Sequence, residues 1–188
     1  TSNQSSPQPG NYTGITVTAL PGSPASSFRY CDFQYATTAL TFSNISASYS
    51  SEVSSSSFNN TSNTSVNITG SKVGINSCTI RNFGSYGIHA SGSNTVLLVN
   101  DCSIFQELPA RLNTASGIYG VDGAKVTLTG NTVEKCQYGV YPQTTGSLFP
   151  TFNLTGNSII ENKTGVNVLA FYSSNRIYPS VTANNNDI

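Results

Sequence analysis

A three-residue element recurs along this chain at nearly regular intervals, and this repetition constrains the fold more than any other feature. Its third residue is always apolar, its second is Ser, Thr or Asp, and its first, which we call the ladder position, is Cys, Ser or Asn. Successive copies begin 25, 22, 24, 29, 26 and 29 residues apart, within the period range of solenoid proteins. The ladder positions are Cys31, Ser56, Cys78, Cys102, Asn131, Asn157 and Asn186.

Two further patterns recur at nearly constant distances from the ladder positions. Apolar residues lie three and five positions before most of them, which is the period-two alternation of a half-buried strand. A Gly followed by an apolar residue lies eight or nine positions after several of them, at Gly87, Gly139 and Gly165, whereas Gly117 follows Cys102 after an insertion. Each repeat therefore predicts three short strands joined by turns rich in Gly, Ser and Asn. The alternating pairs are Val73 and Ile75, Leu97 and Val99, Val126 and Leu128, Phe152 and Leu154, and Val181 and Ala183.

A single repeat cannot bury its apolar residues, but stacked repeats can, because inward side chains then align in columns. We therefore predict an all-β fold, a right-handed parallel β-helix of about seven rungs, over residues 15–188. Residues 1–14 are rich in Ser, Gln and Pro and predict an arm or linker. Asn at the ladder position is expected to face inward and to bond to its counterparts above and below, with Cys as a small apolar substitute.

This repeat resembles the pectate-lyase-like superfamily and other parallel β-helix repeat proteins over roughly residues 28–188. The resemblance implies an architecture that hosts lyases, hydrolases, adhesins, phage tailspikes and structural segments, so it implies no single function. In a lyase it would imply an Asp/Glu cluster for calcium and an Arg or Lys base on one sheet. Polygalacturonase-like hydrolases of this fold resemble one another in N-T-D, D-D, G-H-G and R-I-K motifs, of which only Arg176-Ile177-Tyr178 is approximated here, without the lysine.

The residue types that usually carry chemistry show no catalytic arrangement in the sequence. The eight carboxylates fall in different columns of the repeat, and His89, the only histidine, falls at an outward strand position with no Ser-His-Asp pattern nearby. Cys78 and Cys102 occupy adjacent ladder positions, so a disulfide and two buried free thiols both remain open. No C-x-x-C is present, which gives a zinc site poor support. We assign no catalytic residue, metal or cofactor.

The third strand of each repeat carries the best binding hypothesis. Its outward column is predicted to contain His89, Tyr119 and Tyr141, with Tyr86 and Tyr138 just before the glycines of the same strands. Exposed aromatic rings with a polar edge suit sugar rings, which offer apolar faces bordered by hydroxyls. These five residues are therefore our predicted glycan-binding residues. The alternative is that Tyr simply suits strands and covers the sheet. The full column reads Thr41, Asn67, His89, Tyr119, Tyr141 and Asn167.

Composition limits the partners of the chain. Charged residues make up 9% and the formal net charge is zero, which argues against a nucleic-acid partner and against a polybasic membrane surface. No apolar run approaches the length needed for membrane insertion. Nine N-x-S/T sequons are present, against roughly five or six expected by chance in such a composition. We predict an extracellular or cell-surface location.

Two further features bear on function. The last repeat stops within a rung at Ile188, leaving an open strand edge, so we expect further rungs of a longer protein, or another copy, to pack there. Insertions lie at residues 105–116, 142–150 and 171–179. They are either binding loops, as loops on a rigid scaffold often are, or insertions that the scaffold tolerates. The leading hypothesis is a non-enzymatic, rigid surface stalk or adhesin with glycan as its partner. The alternatives are a carbohydrate-active enzyme, either polysaccharide lyase or glycoside hydrolase, and a filament subunit that stacks end to end.

Overall fold

The computed structural model describes residues 6–18, 24–45, 50–109, 112, 114–145, 147–170 and 178–188. In these residues the chain forms short strands that pair in parallel and gather into three sheets. Up to β19, successive strands enter sheet 1, sheet 2 and sheet 3 in turn, so each set of three makes one rung of a solenoid. No helix among these residues is both long and apolar enough to cross a membrane.

The strands of each sheet are as follows. Sheet 1 contains β1 (Ile15–Thr18), β4 (Thr38–Ser43), β7 (Thr64–Thr69), β10 (Tyr86–Ser91), β13 (Ser116–Val121), β16 (Tyr138–Thr144), β19 (Thr164–Val166) and β20 (Leu169–Ala170). Sheet 2 contains β2 (Ser27–Arg29), β5 (Ser50–Ser54), β8 (Lys72–Asn76), β11 (Val96–Asn100), β14 (Lys125–Thr129), β17 (Thr151–Thr155) and β21 (Ser180–Asn184). Sheet 3 contains β3 (Asp32–Gln34), β6 (Ser57–Asn59), β9 (Thr79–Arg81), β12 (Ser103–Phe105), β15 (Thr132–Glu134) and β18 (Ser158–Ile160).

The predicted all-β parallel solenoid with three strands per rung is confirmed. Sheet 3 has six strands, so the described chain completes about six turns, compared with the prediction of about seven rungs. The difference lies in the last repeat, where Asp187 makes a single parallel bridge to Ser158 rather than a strand. Residues 10–12 also contact the solenoid, because the Gly10 amide donates to the Tyr35 carbonyl at 2.9 Å and Tyr12 forms a bridge with Ala36.

The strand register reproduces the columns read from the repeat. In sheet 2, Leu97 pairs with Val73 on one side and with Val126 on the other, and Val126 pairs with Phe152. All four side chains are buried in one continuous apolar core that runs the length of the solenoid. Each such side chain contributes about 2 kcal/mol by leaving water. The regular stacking of these columns is therefore the main source of stability.

The corner between sheets 2 and 3 is made by a single residue in the left-handed region in every rung. Its φ angle lies between 47° and 66°, and the ladder residue follows directly. One such residue redirects the chain without a longer loop, although it strains side chains other than Gly, Asn and Asp. The residues at this corner are Tyr30, Ser55, Ser77, Asp101, Gly130, Gly156 and Asn185.

The ladder residues face the interior and connect each rung to the next. The backbone N–H of Asn131 donates to Asn157 Oδ1 at 2.9 Å, and the backbone N–H of Asn157 donates to Asn186 Oδ1 at 2.9 Å. In the opposite direction, Asn157 Nδ2 donates to the Leu128 carbonyl of the preceding rung at 2.9 Å. Each asparagine therefore satisfies buried backbone groups of the rung before it.

Serine and cysteine accept from the backbone amide of the preceding ladder residue in the earlier rungs. The Cys31 amide donates to Ser56 Oγ at 3.1 Å, and the Cys78 amide donates to Cys102 Sγ at 3.3 Å. The expectation that Cys acts there only as a small apolar substitute was incomplete, because Cys102 Sγ also donates to the Ile75 carbonyl at 3.6 Å. The cysteines are free thiols, so Cys78 and Cys102 are not bridged.

A second, shorter ladder lies at the corner that follows sheet 3. The Cys136 amide donates to Asn162 Oδ1 at 2.9 Å, and Asn162 Nδ2 donates to the Val133 carbonyl at 2.8 Å. The sequence repeat did not reveal this ladder, because the residue type at this position differs among the rungs, being Ala36, Thr61, Phe83, Cys136 and Asn162.

The glycines that begin the third strand mark a close approach between rungs. A Cβ placed on Gly117 would lie 2.5 Å from Val133 Cγ1 and 2.7 Å from the Gly139 carbonyl oxygen. Gly139 stands in the same relation to the Gly165 carbonyl oxygen, at 2.7 Å. Glycine is therefore required at these positions, because any larger residue would push the strands of sheet 1 away from the core.

Parts of the three predicted insertions lie outside the described residues, namely positions 110, 111, 113, 146 and 171–177. The approximate hydrolase motif at Arg176-Ile177-Tyr178 falls there except for Tyr178, which is exposed.

Candidate functional site

Sheet 1 brings the five predicted glycan-binding residues together across three rungs. His89 on β10 pairs with Tyr119 on β13, which pairs with Tyr141 on β16. Tyr86 and Tyr138 both pair with Ser116 of the strand between them. We call Tyr86, His89, Tyr119, Tyr138 and Tyr141 the aromatic cluster.

The rings of the aromatic cluster pack on one another around Tyr119. The Tyr86 ring stacks on it at a centroid distance of 4.6 Å and an interplanar angle of 11°, and the His89 ring lies at 5.1 Å and 23°. Tyr141 approaches from the next rung at 5.3 Å and is tilted by 52°. Tyr138 continues the contact with Tyr141 at 4.7 Å. Aromatic pairs of this kind contribute about 0.5–1.5 kcal/mol each beyond the area they bury.

The prediction that all these rings are exposed was wrong for Tyr119, which is only 8% exposed. Tyr86, His89, Tyr138 and Tyr141 are half-buried. The physical reason is the rung spacing of about 4.8 Å, which places rings of neighbouring rungs close enough to lie against each other instead of projecting into water. Tyr119 is therefore the support of the cluster, and the rings around it form the accessible surface.

Hydrogen bonds hold the rings of Tyr119 and His89. Tyr119 donates its hydroxyl proton to Gln143 Oε1 at 2.8 Å, and His89 Nδ1 lies 2.9 Å from Asn67 Oδ1. His89 Nε2 is buried without a partner. The predicted outward column already placed Asn67 next to His89, but neither of these two hydrogen bonds was predicted from the sequence.

Burial also sets the protonation of the cluster. Burial raises the pKa of Tyr119 well above its usual value, with a further contribution from neighbouring Tyr86. Burial lowers the pKa of His89, and the Asp122 carboxylate opposes this only in part. His89 is therefore neutral near pH 7. Asp122 lies at the end of β13 in an Asp-Gly turn, where it accepts a hydrogen bond from Thr145 Oγ1.

The carboxylates do not gather into a cation-binding group. Among the described residues, no three His, Cys, Asp or Glu side chains lie close enough together to hold a metal ion. Glu52 pairs with Arg29 at 2.6 Å and Glu107 pairs with Arg81 at 3.4 Å. These are solvent-exposed pairs, which contribute little to stability.

A shallow depression of about 190 Å³ lies at the corner after sheet 3. It is lined by Leu112, Lys135, Cys136, Glu161 and Lys163. One of its lysines forms an ion pair with its carboxylate, since Lys135 Nζ lies 3.7 Å from Glu161 Oε2. Nothing in the sequence repeat indicated this depression.

Comparison with known proteins adds one finding to this geometry. A family model described as "Right handed beta helix region" matches residues 16–188. The chain belongs to this family. Membership in the right-handed β-helix family confirms the handedness and the resemblance predicted from the repeat, and the description names an architecture without an activity. No curated protein and no solved structure gives a match to the chain.

Proposed function

We propose that this right-handed β-helix is a rigid extracellular scaffold with a non-enzymatic, adhesive role, and that the aromatic cluster on sheet 1 contacts glycan. The observation that carries the proposal is the cluster itself. Three half-buried tyrosine rings, Tyr86, Tyr138 and Tyr141, lie on one sheet, and Tyr86 and Tyr141 pack against the buried ring of Tyr119.

The packing of the cluster favours binding over simple coverage of the sheet. Binding usually costs conformational entropy when mobile side chains become fixed. Here the stacking on Tyr119 already restricts Tyr86 and Tyr141, and the Tyr119 hydroxyl is held by Gln143. A sugar ring that stacks on the free faces and edges would meet a surface that is already organised.

The scaffold role is supported by continuity along the solenoid axis. One apolar core extends from Phe33 to Ile159, and the ladder residues connect successive rungs through buried hydrogen bonds. Such a repeat holds its surface at a fixed spacing over its length.

The extracellular location is supported by the low charge and by the sequons. Asn11, Asn44 and Asn153 each begin a sequon and are exposed. Surface sequon asparagines are compatible with glycosylation in a secreted protein.

A glycan-array screen of the purified chain tests the proposal. The test variant is Tyr138→Ala/Tyr141→Ala, which removes two accessible rings and leaves Tyr119 in place. The matched control is Tyr30→Ala/Tyr178→Ala, which removes two exposed tyrosines outside the cluster. At about 0.5–1.5 kcal/mol per ring, the test variant should lose about 5- to 150-fold in affinity, whereas the control should bind like the wild type.

Circular dichroism of all three proteins establishes that each is folded. Failure of the wild type to bind any glycan would remove the proposed function. Equal binding by the wild type and the cluster variant would show that sugars are held elsewhere.

A further inference from the structure

The charged residues of the strands are distributed unevenly among the three sheets. Among the residues that the structure describes, no strand of sheet 1, from β1 to β20, contains Asp, Glu, Lys or Arg. The charged residues of the described strands all lie on the other two sheets. On sheet 2 they are Arg29, Glu52, Lys72 and Lys125, and on sheet 3 they are Asp32, Arg81 and Glu134.

A row of small polar side chains continues the outward columns of the aromatic cluster toward the N-terminal rungs. Thr41 pairs with Asn67, which pairs with His89. In the neighbouring column Ser43 pairs with Thr69, which pairs with Ser91, and the Thr69 and Ser91 hydroxyl oxygens lie 3.0 Å apart. We call Thr41, Ser43, Asn67, Thr69 and Ser91 the hydroxyl strip.

We propose that the hydroxyl strip and the aromatic cluster form one extended site for a neutral, linear polysaccharide that lies across the strands, along the solenoid axis. This inference rests on the proposed function, since it names the class of glycan and the direction in which it lies. The site runs from β4 to β16, which is four rung steps of about 4.8 Å, or about 19 Å in all. That length accommodates several sugar units.

The chemistry of the strip matches hydroxyl groups. Ser and Thr hydroxyls both donate and accept, and the Asn amide does the same through two different atoms. Such groups can pair with sugar hydroxyls in either direction, and their small size keeps this part of the surface low beside the rings. The strip would therefore supply hydrogen bonds where the cluster supplies ring contacts.

The absence of charge on these strands selects against acidic polysaccharides. A carboxylate or sulfate placed on sheet 1 would give up water without meeting a cation from any of its strands, which is costly. The Asp122 carboxylate acts electrostatically on the His89 and Tyr119 rings of the cluster, and it repels anions.

Titration calorimetry with defined oligosaccharides tests this inference. The probes are neutral disaccharides and hexasaccharides of glucan, mannan, xylan and galactan, together with uronic-acid oligomers of the same lengths. For at least one neutral series, the hexasaccharide should bind at least tenfold more tightly than the disaccharide. The uronic-acid hexasaccharide should bind at least tenfold more weakly than the neutral one.

Two variants locate the effect. Thr41→Ala/Ser43→Ala, which alters the end of the strip farthest from the cluster, should remove most of the gain with length and leave the affinity for the disaccharide unchanged. Thr127→Ala/Asn153→Ala on sheet 2 is the matched control and should behave like the wild type.

The outcomes separate the two proposals. Binding that depends on Tyr138 and Tyr141 but shows no gain with length, or that accepts uronic-acid oligomers equally well, overturns this inference and leaves the proposed function standing. Binding that is independent of both tyrosines overturns both. No binding of any of these probes by a chain that binds another glycan on the array overturns this inference alone, and no binding on the array as well overturns both.

Discussion

Replacing Asn157 by Ala tests whether the ladder is a principal source of stability. The change removes the acceptor of the Asn131 amide and the donor to the Leu128 carbonyl, and it breaks the contact between Asn157 Nδ2 and Asn186 Oδ1 at 2.9 Å. Asn157 is only 2% exposed, so water cannot easily replace these partners. An orphaned buried donor costs about 1–3 kcal/mol and each other lost hydrogen bond about 0.5–1.5 kcal/mol. We expect a loss of about 4 kcal/mol in the free energy of unfolding.

Two companion substitutions make this test specific to the hydrogen bonds. Asn157→Ser retains an oxygen that can accept from the Asn131 amide, as Ser56 Oγ accepts from the Cys31 amide at 3.1 Å, so it should cost about half as much as Asn157→Ala. Asn153→Ala changes an exposed asparagine on β17 and should fall within about 0.5 kcal/mol of the wild type.

The measurement is urea unfolding followed by far-ultraviolet circular dichroism, with the slope checked for constancy among the variants. The reasoning is refuted if Asn157→Ala is no more damaging than Asn153→Ala, or if Ser and Ala at position 157 cost the same.

Three further expectations follow from the packing and the pKa values. Gly117→Ala should lower the free energy of unfolding by about 1–3 kcal/mol, because its Cβ would meet neighbouring backbone and side-chain atoms. Gly156→Asn should be tolerated, since the φ angle of Gly156 is 64° and no atom lies within 4 Å of where its Cβ would be. If urea unfolding gave the same loss in the free energy of unfolding for Gly117→Ala and Gly156→Asn, the packing argument would be contradicted. Because burial lowers the pKa of His89, the unfolded chain takes up the proton first, and stability should fall as the pH drops below about 6.5. His89→Gln should flatten that part of the pH dependence, and an unchanged curve would show that other groups cause it. Burial raises the pKa of the Cys136 thiol to about 12, so a thiol reagent at pH 8 should label half-buried Cys31 first and reach Cys136 only in urea. Rapid labelling of Cys136 in the folded chain would contradict its burial.

The sequence predicted the columns of the fold because two independent regularities agreed. The ladder repeat fixed the stacking of rungs, and the period-two alternation fixed which side chains face inward, as with Leu97 and Val126 in adjacent rungs. Since a one-residue slip would turn every core residue outward, these two patterns together determine the register.

Residue type did not predict every left-handed residue of the turns. Tyr30 at the corner between sheets 2 and 3, and Lys135 and Glu161 at the corner after sheet 3, adopt left-handed backbone conformations, although these residue types rarely do so. Their conformation is imposed by the strands on either side, so the signal lies in the stacking of rungs and not in the local sequence.

The sequence predicted which residues form the candidate site and that they lie in neighbouring rungs. It did not predict how their rings pack. The register placed Tyr119 beside Tyr141 as expected. Its burial depends on how rings from three rungs arrange their torsion angles around it, and on a partner, Gln143, that lies 24 residues along the chain. A strand pattern states which face a side chain is on, but it does not state how far its neighbours cover it.

The direction of the ladder has a consequence for biosynthesis. The ladder amide of one rung donates to the side chain of the following rung, as in the contacts from Cys102 to Asn131 and from Asn131 to Asn157. During translation the earlier rung emerges first. Its ladder amide therefore lacks its acceptor until the next corner, 22 to 29 residues later, has also been made. We therefore expect native structure to form one rung behind the growing end, and a pause in synthesis to leave one corner open to water.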